Sequence, residues 1–418
     1  MNILKPISIS LSPNTEKDDI ILALKEILSF GFLRSQGREI NELEKKFSEK
    51  VGVQYAVSFN SGRSALMAIL SAFKLNKGDE VLIQAFTCNA VPNPLLWSGL
   101  KPVYVDCEED YNISPKDLKR KITKKSRAVI VQHTFGKPAN MDALQDICKQ
   151  NNLLLIEDCA HALGAEYKGR KVGTFGDVAF FSFSRDKVIS SVYGGMAVTN
   201  NGKYEDMLRK FQKKAGFPSL YWSLQQLLHP MLMNWIVLPT YHVLGKYLLL
   251  VFQLLHILSK AVHFKEKQGV RPGYFPKAMP NTLAQLALLQ LPKVDRFNSH
   301  RKKMAGYYTK ALQGTLFQIS EEGDGHIFLR LPVRHLQAHT IIKQAWKQNL
   351  LLGDWYTSVV APFDTRLDAV GYKKGSCPKA EELAAITLNL PTHIHIGETE
   401  AKRVVEFLKQ YAHTGDNQ

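Results

Sequence analysis

Three polar clusters in the sequence follow short apolar runs, and their side chains suit three different chemical tasks. The stretch NSGRS at residues 60–64 follows YAVSF and opens an apolar helix pattern, where backbone N–H groups near a glycine can approach a phosphate closely. Asp158 ends the apolar run LLLIED, and a buried carboxylate needs a cationic or hydrogen-bonding partner. Ser182 and Lys187 lie in FFSFSRDK, and a lysine amine can form an imine with a carbonyl compound and then move protons.

Each cluster also has an ordinary structural explanation. SGRS could be a plain helix N-cap, Asp158 could be a capping residue, and Lys187 could be one of many solvated lysines. Together, however, the clusters match what pyridoxal 5'-phosphate (PLP) requires of a protein. It needs a lysine that holds it as a Schiff base, a carboxylate that pairs with its pyridine nitrogen, and N–H groups and hydroxyls that hold its phosphate. The sequence therefore predicts a PLP site, provided that the clusters converge in space.

Positioning these clusters requires strands that alternate with helices. Apolar runs typical of buried strands are YAVSF, EVLIQAF, KPVYVD, SRAVIVQH, NNLLLIED, VAFFSF and GMAVTN, and helical patterns such as MDALQDICKQ separate several of them. This alternation predicts an α/β fold with a mostly parallel central sheet. In such sheets ligands lie beyond the carboxyl ends of the strands, which is where the three clusters fall.

The composition indicates a globular chain with a large core. Its 418 residues are 45% hydrophobic and 22% charged, which suggests two or three domains or subdomains. The formal net charge of +16 comes from dispersed lysines and arginines without a nucleic-acid-binding signature, so no nucleic-acid partner is expected. Five cysteines without disulfide or metal-ligand spacing suit a reducing cytoplasm and predict no metal site. We find no apolar core of signal-peptide length at the N-terminus.

Longer motifs extend these observations. The most specific stretch is LLIEDCAHALGAEYKGRKVGTFGDVAFFSFSRDK, which carries an aspartate, a following histidine and the serine–lysine spacing in order. With NSGRSALMAIL, DEVLIQAFTCNA, SQGREINELEKKFSEKVG and SCPKAEELAAITLNLPTHIHI, it resembles the DegT/DnrJ/StrS family of PLP-dependent sugar aminotransferases. The resemblance runs from about residue 17 to residue 410, apart from an apolar insertion. It implies the aspartate-aminotransferase fold, type I among PLP enzymes.

The resemblance implies a role for each of six residues. Lys187 would be the Schiff-base lysine and proton shuttle, and Asp158 would pair with the pyridine nitrogen. His161 would contact the cofactor ring or its phenolic oxygen. The other three would hold the phosphate: Ser182, Gly62 and Arg63.

The resemblance also implies the reaction and the assembly. The expected activity is transfer of an amino group, with glutamate as donor, to a nucleotide-linked keto sugar for surface glycan or related sugar biosynthesis. In this fold type the site lies at a dimer interface, so a homodimer is implied. Family members that lack the lysine dehydrate sugars instead, and the presence of Lys187 argues against that branch. Two alternatives stay open: a PLP enzyme acting on a non-sugar substrate, and a non-catalytic sensor or scaffold with the same fold.

Three positions depart from the family pattern. Arg63 stands where threonine is usual, and Tyr193 stands where an acidic residue is common. Cys88 follows Thr87 at a position that is usually aromatic, whereas the nearby aromatic residue, Phe86, precedes that threonine. The departures concern the phosphate contact, the group that stacks on the cofactor ring and the specificity for the sugar.

Residues 215–259 differ in composition from the rest of the chain. Between Lys214 and Lys260 the only formal charge is Lys246, yet no run reaches the 18 or so apolar residues of a membrane span. This composition is compatible with three structures. We predict interfacial helices at the cytoplasmic face of a membrane, and the alternatives are a buried helical hairpin or part of the dimer contact.

These observations together suggest a division of the chain. We predict a large PLP-binding domain at residues 1–214 and an apolar helical insertion at residues 215–268. Linking helices and a small C-terminal α+β domain would occupy residues 269–418.

Overall fold

The computed structural model describes residues 5–319 and 323–412, in which strands and helices alternate as expected. The strands are β1 (Ile7–Ser8), β2 (Tyr55–Phe59), β3 (Glu80–Gln84), β4 (Thr87–Cys88), β5 (Lys101–Val105), β6 (Ser126–Gln132), β7 (Leu154–Asp158), β8 (Glu166–Tyr167), β9 (Arg170–Lys171), β10 (Val178–Ser182), β11 (Gly195–Thr199), β12 (Gln318–Ile319), β13 (Leu331–Arg334), β14 (Leu350–Leu351), β15 (Val360–Ala361) and β16 (Thr387–Leu390).

Helices connect and cover these strands. They are α1 (Lys17–Leu28), α2 (Arg38–Val51), α3 (Gly62–Ala72), α4 (Pro92–Trp97), α5 (Pro115–Lys121), α6 (Met141–Gln150), α7 (Gly202–Ala215), α8 (Leu220–Leu232), α9 (Lys246–Leu254), α10 (Phe264–Lys267), α11 (Asn281–Gln290), α12 (Val294–Ala311), α13 (Ala338–Lys347), α14 (Pro378–Ile386) and α15 (Glu398–Leu408). Several begin at a side chain that accepts an N–H of the first turn, which fixes where the helix starts. Examples are Ser61 before α3, Asn140 before α6 and Ser219 before α8.

The central sheet has seven strands in the order β2-β11-β10-β7-β6-β3-β5. Strand β11 is antiparallel to both of its neighbours, and the other pairs are parallel. The predicted α/β fold with a mostly parallel sheet is therefore confirmed. Because the strands are buried on both faces, their sequences are nearly continuous apolar runs, as in β3 and β6.

A second, smaller sheet contains β12, β13 and β16, all antiparallel. Its apolar side chains pack with those of α12, α13 and α15 in a separate core, which includes Tyr308, Val333, Ile341 and Val404. Two short parallel pairs, β1 with β14 and β4 with β15, join the early and late parts of the chain. The boundaries proposed for the three domains stay a prediction.

The apolar segment at 215–259 is divided between the core and the surface. Helix α8 packs against α1 and α11, and its Trp222 and Leu227 are buried. By contrast, none of the nine residues of α9 is buried. Two π-helical turns, Met233–Val237 and Tyr241–Gly245, connect the two helices.

The part of the chain that the structure describes contains no single helix long and apolar enough to cross a membrane. Only a bent pair of segments, Leu220–Val237 and Tyr241–Leu254, reaches that length and composition when taken together. The chain bends by 112° between these two segments.

Candidate active site

One cavity lies beyond the carboxyl ends of β2, β7 and β10, where the fold predicts a ligand site. Its walls include all six residues singled out in the sequence, so the separate clusters do converge. They are Gly62, Arg63, Asp158, His161, Ser182 and Lys187.

The N-terminus of α3 forms one end of the cavity. The Ser61 hydroxyl accepts the Ser64 N–H at 3.1 Å, and the Ser64 hydroxyl donates to Asn60 Oδ1 at 2.6 Å, so the turn is held by its own side chains. A Cβ atom at Gly62 would lie only 3.2 Å from the Cβ of Ser182, which explains why a glycine stands there. A helix N-terminus with a hydroxyl beside it is suited to bind a phosphate.

Asp158 supplies a buried carboxylate at the end of β7. Its side chain is 4% exposed, and its Oδ1 accepts the N–H of Ala160 at 3.0 Å. Burial raises the pKa of Asp158 to about 6, although the Ala160 hydrogen bond and the charge of Lys187 oppose this rise. A cation bound beside this carboxylate would favour its ionised form.

His161 presents a neutral ring to the cavity. Burial lowers its pKa well below the ordinary value, and the positive charges of Lys187 and Arg330 lower it further. Its Nδ1 accepts the N–H of Phe135 at 3.3 Å, which leaves the proton of the neutral ring on Nε2. The ring also stacks on Trp355, with 5.1 Å between centroids.

Lys187 lies opposite these groups, with Nζ 4.5 Å from the centroid of the Trp355 ring. Burial lowers the pKa of Lys187, and the carboxylates of Asp186 and Asp158 partly counter this effect. A lowered pKa increases the fraction of the neutral amine, which is the nucleophilic form.

The backbone around Lys187 is held by the core. The Asn14 amide donates to the carbonyl oxygens of Lys187 and Val188, the latter at 3.3 Å. The buried Arg301 donates to Asn14 Oδ1 and to the Val188 carbonyl, each at 2.9 Å. This bracing fixes the direction from which the lysine enters the cavity.

Reasoning from the sequence missed the residues that the small sheet and its loops contribute. Trp355 and Tyr356 line the cavity, and Arg330 stacks on Trp355 with its guanidinium carbon 3.3 Å from the ring centroid. Arg330 also donates to Asp186 at 3.0 Å, which holds Asp186 beside Lys187. No local motif marks these residues, because their position depends on the packing of distant segments.

The structure also locates the aromatic residues near Thr87. Phe86 is fully buried in the core, with its ring 5.0 Å from Tyr111 and 5.3 Å from Tyr356, whereas Cys88 lines the cavity. Phe86 is therefore not the residue that faces a ligand. The aromatic side chains on the cavity wall are His161, Phe180, Trp355 and Tyr356.

Residues 259–269, which we call the strap, return from the apolar segment across the cavity. Ala261 and Val262 line the cavity itself. The strap is tied down by the Asn93 amide, which donates to the Glu266 carbonyl at 2.8 Å. The Trp97 indole donates to the Gly269 carbonyl at 2.8 Å and ties down its far end.

Two departures from the family pattern contact the strap. Arg63 forms an ion pair with Glu266, with 2.5 Å between Nε and Oε2, and both side chains are buried. The Tyr193 hydroxyl donates to the carbonyl oxygen of Lys260. These two residues therefore hold the strap, in addition to any contact that Arg63 makes with a ligand.

The donor set suits PLP. The cavity offers the amine of Lys187, the buried carboxylate of Asp158, and the N-terminus of α3 with the Ser182 hydroxyl beside it, a combination suited to an anion. Because Gly62 has no side chain, Ser182 can pack against this turn; a Cβ atom at position 62 would lie 3.2 Å from the Cβ of Ser182.

The chain is similar to known proteins over most of its length. The model of the DegT/DnrJ/EryC1/StrS aminotransferase family matches residues 14–229 and 251–409. A GDP-perosamine synthase of Escherichia coli O157:H7 is 38% identical over 190 residues, which are 45% of this chain and 52% of that relative. This match thus spans about half the length of the relative. A GDP-perosamine synthase of Caulobacter vibrioides is 28% identical over 392 residues, 92% of this chain and 93% of that protein.

A solved structure shares the fold. Helicobacter pylori PseC, an aminotransferase involved in the biosynthesis of pseudoaminic acid, superposes with a TM-score of 0.76 at 21% identity. The superposition covers 98% of this chain and 99% of that one. The predicted type I fold is therefore confirmed.

Proposed function

Because the chain belongs to the DegT/DnrJ/EryC1/StrS aminotransferase family, we propose that it is a PLP-dependent aminotransferase acting on a nucleotide-linked keto sugar. Glutamate is the proposed amino donor. The observation that carries the proposal is the convergence of Lys187, Asp158 and the Gly62–Ser182 anion site on one cavity. The relatives named GDP-perosamine synthase support a nucleotide sugar as the substrate, within surface glycan or related sugar biosynthesis.

PLP, when bound, supplies a carbonyl carbon that reacts with the donor's amine. Its ring then withdraws electrons from the substrate atoms joined to that carbon. In the proposal, the amine of Lys187 holds the cofactor and then carries the proton removed from the donor or delivered to the sugar. Burial lowers the pKa of Lys187, which increases the fraction of the neutral amine that can accept this proton.

The other cavity residues would hold the cofactor. The Asp158 carboxylate would pair with the pyridine nitrogen and keep it protonated, because a negative charge beside that nitrogen favours its cationic form. The first N–H groups of α3 at Gly62 and Arg63, with the Ser182 hydroxyl, would bind the phosphate. His161, as a neutral ring with its proton on Nε2, would contact the cofactor ring or its phenolic oxygen.

We further propose a cytoplasmic homodimer with peripheral contact to the inner face of a membrane through residues 215–259. The fold type supports the dimer, because its site lies at a dimer interface. The exposed apolar surface of α9 supports the membrane contact.

A half-reaction assay tests the proposed activity. The purified protein with PLP is expected to show a visible absorption band that bleaches when glutamate is added. A panel of nucleotide-linked keto sugars is then added to the bleached protein, and the matching sugar should restore the band. If only non-sugar keto compounds restored the band, a PLP enzyme with a non-sugar substrate would be favoured. If no amino acid bleached the band, a non-catalytic sensor or scaffold with this fold would be favoured.

A further inference from the structure

The exposed part of the apolar segment is a short projection, which we call the arm (residues 233–255). The family model omits residues 230–250, so most of the arm is additional to the family's common fold. Its large apolar side chains face outward: Trp235 is 56% exposed, Leu250 is 63% exposed and Leu254 is 76% exposed. Further exposed members are Ile236, Val243, Leu244, Tyr247, Val251 and Leu255.

The arm keeps its shape without burying this face. Met233, Val237 and Leu238 of the arm form a small buried cluster with Leu258, and Leu249 and Phe252 of α9 pack against this cluster. The arm thus has its own inner apolar contact, and its outer face stays in contact with solvent. Tyr247, Leu250, Val251 and Leu254 recur at three- and four-residue spacing, so they share one exposed side of α9. An exposed apolar surface of this kind is typical of a binding site.

The charge of the region identifies what that surface binds. The sequence contains no aspartate or glutamate between Asp206 and Glu266. Lys246 lies exposed on the arm next to Tyr247, with Nζ 5.0 Å from that ring. The other charged residues of this interval are basic. Arg209 is paired with Glu44 and Glu205, and the rest are Lys210, Lys213, Lys214, Lys260 and Lys265.

A second copy of the arm is a poor occupant for this surface. Two arms face to face would bring their Lys246 side chains together, and no carboxylate of the interval is present to pair with them. An anionic lipid surface, by contrast, offers phosphates to the lysines and apolar chains to the leucines. Tryptophan and tyrosine are favoured at the boundary between these two layers because their rings combine apolar and polar parts.

We infer that the arm inserts its outer face into the headgroup region of an anionic membrane, whereas α8 remains packed in the protein. This inference narrows the contact from residues 215–259 to the arm, and it rests on the peripheral location included in the proposed function. The arm lies on the surface like an interfacial helix, with apolar side chains in the lipid and Lys246 among the phosphates.

Flotation with vesicles tests the inference. The full-length protein is mixed at low salt with vesicles of phosphatidylcholine containing phosphatidylglycerol, and the floated fraction gives a partition coefficient. The double variant Leu250→Gln/Leu254→Gln removes two exposed apolar side chains, so it is expected to lower the coefficient by about tenfold or more. The matched control, Leu316→Gln/Leu336→Gln, changes two exposed leucines far from the arm in sequence, and it should float like the unchanged protein.

Three results would overturn the inference. The first is failure of the unchanged protein to float, and the second is equal flotation of the arm variant and the control. The third is a smaller oligomer for the arm variant in solution, which would show that a second copy covers the face. The glutamate half-reaction is measured on the same samples without vesicles. Loss of flotation with normal bleaching bears on the proposed membrane contact alone, and absent bleaching in the unchanged protein bears on the proposed aminotransferase activity alone.

Discussion

Arg63 and Glu266 form a buried ion pair that joins the turn opening α3 to the strap. Their side chains are 9% and 0% exposed, and the Arg63 guanidinium also lies 5.4 Å from the centroid of the Phe275 ring. Burial raises the pKa of Glu266, and the charge of Arg63 counters that rise. Each buried charge is therefore stabilised by the other. Loss of this ion pair should destabilise both the strap and the turn that opens α3.

Replacing Glu266 should reveal this dependence. Glu266→Gln leaves Arg63 charged and buried without its partner, so the free energy of unfolding is expected to fall by about 3 kcal/mol. Urea denaturation measures it. Asp368→Asn, which breaks the exposed pair between Arg366 and Asp368, serves as the control and should change the free energy of unfolding far less, because solvent screens that pair. Equal losses for the two variants would contradict the coupling.

Lys187 is expected to be indispensable for the reaction and dispensable for the fold. Lys187→Ala removes the amine that holds the cofactor, so the visible band of bound PLP should disappear and turnover should fall by about 10³-fold or more. Circular dichroism should stay unchanged. The exposed Lys374→Ala provides a control with normal activity. Normal transamination by the Lys187 variant would remove this residue from the mechanism.

The raised pKa of Asp158 leads to a prediction of how the affinity for PLP depends on pH. Without the cofactor its pKa is raised to about 6, so below that pH the carboxyl is largely neutral and must lose a proton to pair with the pyridine nitrogen. Affinity is therefore expected to increase with pH up to about 6, by as much as roughly tenfold per pH unit, and then to level off. Titration of PLP binding across this range measures the effect.

The variant Asp158→Asn distinguishes the pH effect of this carboxyl from that of other titrating groups, including the cofactor's own phosphate. It should bind PLP more weakly, lose most activity and show a smaller dependence of affinity on pH. An identical pH profile for the variant and the unchanged protein would exclude the proposed pairing.

A substitution at Gly62 should weaken PLP binding while the protein still folds. In Gly62→Ala the new methyl group meets Ser182 at 3.2 Å, so Ser182 must shift and PLP affinity should fall by roughly tenfold, while the fold persists. Gly306→Ala is a matched control in α12, where the space around a Cβ atom is open. It should raise the free energy of unfolding by about 0.5–1 kcal/mol without affecting PLP, because glycine is costly within a helix. Equilibrium PLP titration and urea denaturation measure both variants, and unchanged affinity in Gly62→Ala would refute the close-packed anion site.

The sequence predicted those parts of the site that lie next to a strand end. Asp158 and Ser182 each end an apolar strand, and Gly62 comes three residues after another. The rule for parallel sheets places such residues together. Trp355, Arg330 and Glu266 could not be predicted in this way. Trp355 lines the cavity, whereas Arg330 and Glu266 contact residues that line it, namely Trp355 and Arg63. Only the packing of distant segments brings these three residues to the site.

The apolar segment shows a second limit of sequence reasoning. The runs in α8 and α9 are both rich in leucine, yet Leu227 is fully buried and Leu254 is 76% exposed. Composition measures how apolar a helix is, and it does not show whether a neighbouring helix covers it. Here α1 and α11 cover α8, and α9 lies beyond their reach.

The arm also divides the chain between its two sheets. All seven strands of the central sheet precede it, and all three strands of the small sheet follow it. A chain break within the arm would leave two fragments, one carrying Lys187 and Asp158 and the other carrying Trp355. The pairs β1 with β14 and β4 with β15, and the ion pair between Asp186 and Arg330, would connect the fragments. The cavity is therefore formed by residues from both halves of the polypeptide. If the two halves were expressed separately, they would have to associate before the pocket was complete.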